Sequence, residues 1–81
     1  MTDAERLALI KDVLGGIAPE AADAEIPGDA DLRETLDLDS MDFMNFVIGL
    51  HERTGVDIPE ADYSLLFTLD DAMAYLAAKG V

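Results

Sequence analysis

Helix-start and helix-stop residues divide the sequence into four helical segments, and this division constrains the fold more than any other feature. The first segment opens with a capping-box pattern at Thr2 and Glu5, in which each side chain satisfies a free backbone donor at the helix start. Apolar residues then recur at helical spacing until Gly16 and Pro19 end the segment. The pattern predicts an amphipathic helix over this stretch.

A long acidic connection, residues 18–38, separates the first segment from the second. Connections of this length are unusual in a small domain, so we expect apolar side chains to anchor it to the core. Its ADLRETL stretch predicts a short turn of helix. The expected anchors are Ile26, Leu32, Leu36 and Leu38.

The second helical segment starts at Ser40, with Asp39 as its N-cap and Asp42 at its third position. It stops at Gly55, because glycine readily adopts the left-handed backbone that ends many helices. Its apolar residues cover more than one face, which is typical of a central helix contacted from several sides.

Two shorter segments complete the chain. A third helix follows Ile58, with Pro59 at its first position, and a fourth has Thr68 as its N-cap and ends at Gly80. No stretch alternates apolar and polar residues in the manner of a strand. The sequence therefore predicts one all-α domain over residues 1–81: a four-helix bundle with a long first connection and a short third helix.

The charge balance is strongly acidic: 18 Asp and Glu side chains against 5 Lys and Arg side chains give a net charge of −13. Such a surface repels nucleic acid and anionic lipids and attracts basic protein surfaces. No apolar run reaches the roughly 20 residues that span a bilayer, and the N-terminus lacks the pattern of a signal peptide. We therefore expect a soluble, cytoplasmic protein that binds no nucleic acid and does not insert into membranes.

Carboxylates flank a single hydroxyl, Ser40, in front of an apolar run in the stretch LDLDSMDFMNF. A serine nucleophile needs a neighbouring base, but the only histidine, His51, lies about 16 Å away along the same helix. The carboxylates lack the glycine and glutamate spacing of an EF-hand, and the chain has no cysteine to form a disulfide or a thiolate site. We therefore expect neither enzymatic activity nor a specific metal site.

Two interpretations of Ser40 remain from the local sequence. It is an ordinary helix-start residue, or it is the attachment point of a phosphate-linked group. A phosphate at the first helical residue meets free amide donors at the positive end of the helix dipole. Asp39 and Asp42 would repel that phosphate, so the second interpretation gives them another task, such as recruiting magnesium or the basic residues of a modifying enzyme.

The segment LDLDSM, residues 36–41, resembles the Leu-Gly-x-Asp-Ser-Leu attachment motif of acyl carrier proteins. DIPEADYSLLFTLDDAMAYL, residues 57–76, resembles the last two helices of that family, and the spacing from Ser40 needs no gap. The resemblance implies a helical bundle of the acyl-carrier type. It also implies that Ser40 carries 4′-phosphopantetheine, added from coenzyme A by a phosphopantetheinyl transferase, and that Asp39 assists through the transferase's magnesium.

By the same resemblance, the prosthetic group supplies a thiol, and the chain, expected to be a monomer, carries acyl thioesters without catalysing a reaction. Its partners would be acyl-loading and acyl-processing enzymes of fatty acid, lipid or specialised metabolite biosynthesis. Partner docking is expected on the second helix at Met41, Asp42, Phe43, Asn45 and Glu52, with the Phe43 ring exposed. The acyl chain would be sheltered among Phe46, Val47, Leu50, Ile58, Leu66, Ala72, Met73 and Leu76.

The sequence departs from the family pattern in two places. Asp37 stands where the motif has glycine, and aspartate is one of the few other residues that tolerate a left-handed backbone. The second helix is poor in acids, with Asn45 where the family usually has one, which indicates a specialised carrier and not the housekeeping fatty-acid carrier. A different class of function also fits the composition: an unmodified acidic helical module that binds a basic protein partner.

Overall fold

The computed structural model describes residues 1–22 and 24–81, and within them every regular element is a helix. Four are α-helices and two are 3₁₀ helices, so the predicted all-α class is confirmed. The α-helices are α1 (Asp3–Ile17), α2 (Leu32–Thr35), α3 (Ser40–Thr54) and α4 (Leu69–Ala78). The first 3₁₀ helix is Pro19–Ala22 and the second is Glu60–Leu66.

Side-chain caps fix where the long helices begin, as the sequence predicts. Thr2 Oγ1 accepts a hydrogen bond from the Glu5 amide at 3.2 Å, and the Glu5 carboxylate accepts one from the Thr2 amide at 3.0 Å. Thr68 caps α4 by accepting from the Asp71 amide at 3.1 Å. Gly55 ends α3 in the left-handed conformation, with φ of 74°. Each cap satisfies backbone groups that the helix itself leaves free.

The predicted third helix is present but differs in type and in its start. Residues Glu60–Leu66 form a 3₁₀ helix, and Pro59 occupies the cap position with an extended backbone, not the first helical position. Leu66 is the only side chain of this segment that is buried. So short a segment with so little buried apolar surface gains little from α-helix nucleation, which is costly, and a tighter 3₁₀ turn is the common alternative.

One hydrophobic core joins α1, α3, α4 and the second 3₁₀ helix. Its largest fully buried side chains come from all four elements and from the long connection: Phe46, Ile10, Leu14, Leu32, Leu50, Leu66 and Leu76. α1 contacts both α3 and α4, and α4 contacts the second 3₁₀ helix. No helix among the described residues is long and apolar enough to cross a membrane.

The long connection is anchored as predicted. Leu32, Leu36 and Leu38 are buried, and Ile26 packs half-buried against the core. The predicted helical turn in this connection is α2. Backbone hydrogen bonds add two attachments: the Leu32 amide donates to the Phe67 carbonyl at 2.8 Å, and the Asp70 amide donates to the Gly28 carbonyl at 3.0 Å. These bonds hold α2 and the connection before it beside the start of α4.

Candidate functional site

Ser40 is the first residue of α3, and its side chain is exposed. The two neighbouring carboxylates form a reciprocal capping box around it. Asp39 Oδ1 accepts from the Asp42 amide at 2.8 Å, and Asp42 Oδ2 accepts from the Asp39 amide at 3.3 Å. The amides of Ser40 and Met41 precede the first intrahelical hydrogen bond, so the helix offers them no carbonyl partner. The hydroxyl therefore stands beside unused backbone donors.

The turn before α3 depends on a left-handed residue at Asp37, whose φ is 53°. The Leu38 amide donates to the Arg33 carbonyl at 2.9 Å, which closes the end of α2 in the pattern that usually has glycine at this position. The left-handed backbone that the sequence allows at Asp37 is confirmed. Because Leu36 and Leu38 are both buried, this turn fixes where Asp39 and Ser40 emerge.

A cleft of about 750 Å³ adjoins Ser40, which is one of its lining residues. This volume lies in the range of sites that hold drug-sized ligands. Five of the lining side chains are apolar or aromatic, four are carboxylates, and α2, α3 and the second 3₁₀ helix all contribute. The lining residues are Arg33, Glu34, Asp37, Leu38, Asp39, Ser40, Phe43, Met44, Glu60, Tyr63 and Phe67.

Phe43 is at the centre of an aromatic cluster beside the cleft. Its ring centroid lies 5.3 Å from that of Phe67, 5.9 Å from that of Phe46 and 6.3 Å from that of Tyr63. Only 7% of Phe43 is exposed, so the expectation that this ring is exposed for a partner is wrong. Residues Tyr63 and Phe67, distant in sequence, cover the ring, and tilted and edge-on arrangements of this kind are favourable.

Arg33 closes one side of the cleft with its charge already paired. Its guanidinium lies 3.7 Å from the centroid of the Phe67 ring and donates to both oxygens of Asp31, at 3.3 and 2.9 Å. The hydrogen bonds to Arg33 lower the pKa of Asp31, and those to Asp31 raise the pKa of Arg33. With Arg33 paired, the carboxylates dominate the electrostatics near Ser40.

Three of the five predicted docking residues share one exposed face of α3, and the other two do not. Met41, Asn45 and Glu52 are exposed, with Met41 at 70%, whereas Asp42 is half-buried in its cap. Two exposed apolar side chains that the sequence reasoning missed extend the same surface: Met44 and Ile48. Their spacing from Met41, three and seven residues, places all three on one helical face, and this spacing is the signal that identifies them.

The eight residues predicted to shelter an acyl chain lie in the interior but not in the cleft. Six are buried, and Ile58 and Met73 are half-buried against the core. None of the eight lines the cleft beside Ser40. Asp39, Ser40 and Phe43, which do line it, were predicted for other roles. The cleft itself was missed because α2, α3 and the second 3₁₀ helix meet there only in three dimensions.

Nothing in the described geometry gives Ser40 a catalytic base. His51 lies in the last turn of α3, where its Nδ1 is 2.8 Å from the Val56 carbonyl oxygen. Within residues 1–22 and 24–81, no three histidine or carboxylate side chains converge as metal ligands. The arrangement is therefore one exposed hydroxyl at a helix N-terminus, next to an aromatic-lined cleft.

Comparisons with known proteins agree on one family. The family described as "Phosphopantetheine attachment site" matches residues 7–76. The acyl carrier protein of Renibacterium salmoninarum is 36% identical over 63 residues, which cover 78% of this chain and 73% of that protein. The acyl carrier protein of Paenarthrobacter aurescens is 36% identical over 62 residues, which cover 76% of this chain and 72% of that protein. The acyl carrier protein of Bdellovibrio bacteriovorus is 31% identical over 74 residues, which cover 88% of this chain and 90% of that protein.

Proposed function

Because the chain belongs to the phosphopantetheine-binding family of acyl carrier proteins, we propose that Ser40 is its attachment residue and that it presents acyl groups to the enzymes of a lipid or specialised metabolite pathway. The prosthetic group of the family, covalent 4′-phosphopantetheine, supplies the thiol that holds an acyl group as a thioester. The protein is a carrier and not an enzyme. Its partners are a phosphopantetheinyl transferase and acyl-loading and acyl-processing enzymes, which it meets in the cytoplasm.

One observation carries the assignment of Ser40: it is an exposed hydroxyl at the first position of a long α-helix. Unused amides there suit a phosphate, since they donate hydrogen bonds at the positive end of the helix dipole. The chain contains one other serine, Ser64, which lies inside the second 3₁₀ helix, away from a long helix N-terminus. The residues around Ser40 therefore fit a phosphate-linked group, and those around Ser64 do not.

Asp39 has two tasks in this proposal. It caps α3 through the Asp42 amide, and its other carboxylate oxygen remains available to the transferase's magnesium. A divalent cation also offsets the repulsion between the incoming phosphate and the carboxylates of Asp37, Asp39 and Asp42. The family's need for magnesium during modification thus has a physical basis in these side chains.

Partner enzymes contact the outer face of α3 in this proposal. Its docking surface consists of Met41, Met44, Asn45, Ile48 and Glu52, which are all exposed. Apolar side chains outnumber charges on this surface, so its partners need less basic complementary patches than those that recognise a strongly acidic helix. This composition supports a specialised carrier.

Intact-mass measurement tests the attachment. The apo protein is incubated with coenzyme A, magnesium and a broad-specificity phosphopantetheinyl transferase. We expect the mass to increase by one phosphopantetheine group. Ser40→Ala should abolish the addition while circular dichroism shows unchanged helix content, because Asp39, and not Ser40, caps α3.

Ser64→Ala is the matched control, and it should be modified like the wild type. Modification that survives Ser40→Ala and disappears in Ser64→Ala would move the attachment to the second 3₁₀ helix. An unmodified wild type would instead favour an acidic interaction module that works without a prosthetic group.

A further inference from the structure

We propose that Phe43 is a barrier between the cleft beside Ser40 and the hydrophobic core, so that this carrier holds short acyl groups in the cleft and excludes long chains from its interior. The proposal rests on the function proposed above, since it needs a group tethered at Ser40. It adds to that function a class of cargo, short acyl groups, and identifies Phe43 as the residue that limits acyl-chain length.

A group tethered at Ser40 starts at the edge of the cleft, because Ser40 itself lines it. Its apolar lining consists of Leu38, Phe43, Met44, Tyr63 and Phe67. A flexible tether raises the local concentration of its cargo at adjoining surfaces, so even weak apolar contact in the cleft becomes occupied. A tethered acyl group therefore enters the cleft first.

Phe43 lies where the cleft meets the core. Its ring lines the cleft, yet it is 93% covered, and the next ring inward, Phe46, is fully buried and does not line the cleft. Tyr63 and Phe67 hold Phe43 from the side of the second 3₁₀ helix. The Tyr63 hydroxyl reaches the Met44 sulfur at 3.6 Å, which joins that helix to α3 across the same region.

The interior behind Phe43 is filled by side chains that are themselves fully buried, including Leu50, Leu66 and Leu76. An acyl chain that passes beyond the cleft must displace the Phe43 ring from its aromatic neighbours and part this core. Protein cores are close-packed, so such an entry costs packing that the tether does not restore. This cost arises once the acyl group exceeds the capacity of the cleft, so Phe43 sets a length limit.

A series of acylated forms tests the limit. The transferase loads wild type and Phe43→Val with acetyl, butyryl, hexanoyl, octanoyl, decanoyl and myristoyl groups from the corresponding acyl-coenzyme A, and intact mass confirms each product. The melting temperature of each form is compared with that of the holo form of the same variant. A group bound only by the folded state raises this temperature.

In the wild type we expect the gain in melting temperature over the holo form to stop increasing by octanoyl. In Phe43→Val it should continue to rise, by roughly 4 °C or more between octanoyl and decanoyl, as expected for newly buried methylenes in a domain of this size. Leu14→Val is the matched control: it removes core volume in α1, away from the cleft, and should melt lower while the levelling point stays at the same acyl length.

Methyl NMR of the wild type gives a second readout that does not depend on a variant folding. The signals of Leu50 and Leu76, behind the barrier, should stay fixed from hexanoyl to myristoyl, while the Met44 methyl signal shifts. If Phe43→Val does not fold, Phe43→Leu replaces it. A wild-type gain that rises steadily through myristoyl, or Leu50 signals that move with chain length, would overturn the barrier. Absence of any acylated product would instead overturn the attachment at Ser40.

Discussion

At the residue scale, the two carboxylates beside Ser40 have a structural role, because they cap the first turn of α3. Asp39 and Asp42 exchange hydrogen bonds with each other's backbone amides and thereby define the first turn of α3. A serine placed between them keeps a fixed backbone and a free hydroxyl. The charge of Asp39 and its capping ability are separable properties, because asparagine caps a helix about as well as aspartate does.

Asp39→Asn and Asp39→Ala together separate capping from charge. Asp39→Asn should leave the free energy of unfolding nearly unchanged, whereas Asp39→Ala should lower it by about 1 kcal/mol through loss of the cap. If the carboxylate serves the transferase's magnesium, both variants should slow phosphopantetheine addition by similar factors. Urea unfolding measures the first quantity, and the initial rate of mass increase measures the second.

Asp29→Asn removes the same charge from an exposed position in the long connection and should leave both quantities unaltered. An Asp39→Asn protein that is modified as fast as the wild type would show that Asp39 is a helix cap alone.

At the scale of elements, the second 3₁₀ helix depends on its neighbours. It buries one leucine, and a hydrogen bond ties it to α4: the Tyr75 hydroxyl donates to Asp62 Oδ2 at 2.8 Å. Tyr75 is 7% exposed. Burial raises the pKa of Tyr75, and the hydrogen bond to Asp62 and the negative charge of that carboxylate raise it further. This bond therefore helps to hold one side of the cleft in place.

The raised pKa predicts a loss of stability at alkaline pH. The folded-state pKa of Tyr75 lies above its unfolded value of about 10, so the contribution of Tyr75 is fully present below pH 10 and is lost as pH rises through the folded pKa. Tyr75→Phe should lower the free energy of unfolding by about 1 kcal/mol at neutral pH and reduce the alkaline loss. Urea unfolding across the pH range measures both effects.

Tyr63→Phe is the matched control, since Tyr63 is the other tyrosine of the chain and its hydroxyl contacts a methionine sulfur, not a carboxylate. It should retain the alkaline loss. If Tyr75→Phe loses stability at alkaline pH exactly as the wild type does, groups other than Tyr75 are responsible.

At the scale of the whole molecule, the charge of −13 is unevenly distributed. The α3 helix contributes only Asp42 and Glu52 as acids, and its arginine, Arg53, pairs with Asp12 of α1. The acidic field is therefore produced mainly by other elements, while the proposed docking surface is largely apolar. General attraction to basic proteins and the proposed contact through α3 therefore depend on different parts of the molecule.

Asn45→Glu adds a charge to the docking surface and should change partner choice. We expect this variant to associate faster with a component of a standard fatty-acid synthase, mainly at low salt, because rim charges act chiefly on the rate of encounter. Stopped-flow or surface-binding measurements at several salt concentrations give the rates.

Ala74→Glu adds the same charge to an exposed position of α4 and should have a much smaller effect. If the wild type already serves the standard synthase as well as that synthase's own carrier, the specialised role is refuted.

The sequence alone determined the features that short-range interactions control. Capping residues predicted the starts of α1, α3 and α4, because a cap joins residues within a few positions of one another. The left-handed backbone of Asp37 was also predictable, because aspartate tolerates this conformation. The same local signals placed Ser40 at a helix start. The family motif then favoured attachment over simple helix initiation as the role of Ser40.

Only the tertiary structure decided the features that depend on contacts between distant segments. Phe43 is buried because Tyr63 and Phe67 cover it, and no helical periodicity within α3 reveals that cover. The third helix forms as a 3₁₀ helix because it buries only Leu66, which is too little apolar surface to favour an α-helix, and its position depends on contacts with α4. The cleft beside Ser40 arises where α2, α3 and that 3₁₀ helix meet, and packing between elements, unlike capping, is not encoded in the spacing of neighbouring residues.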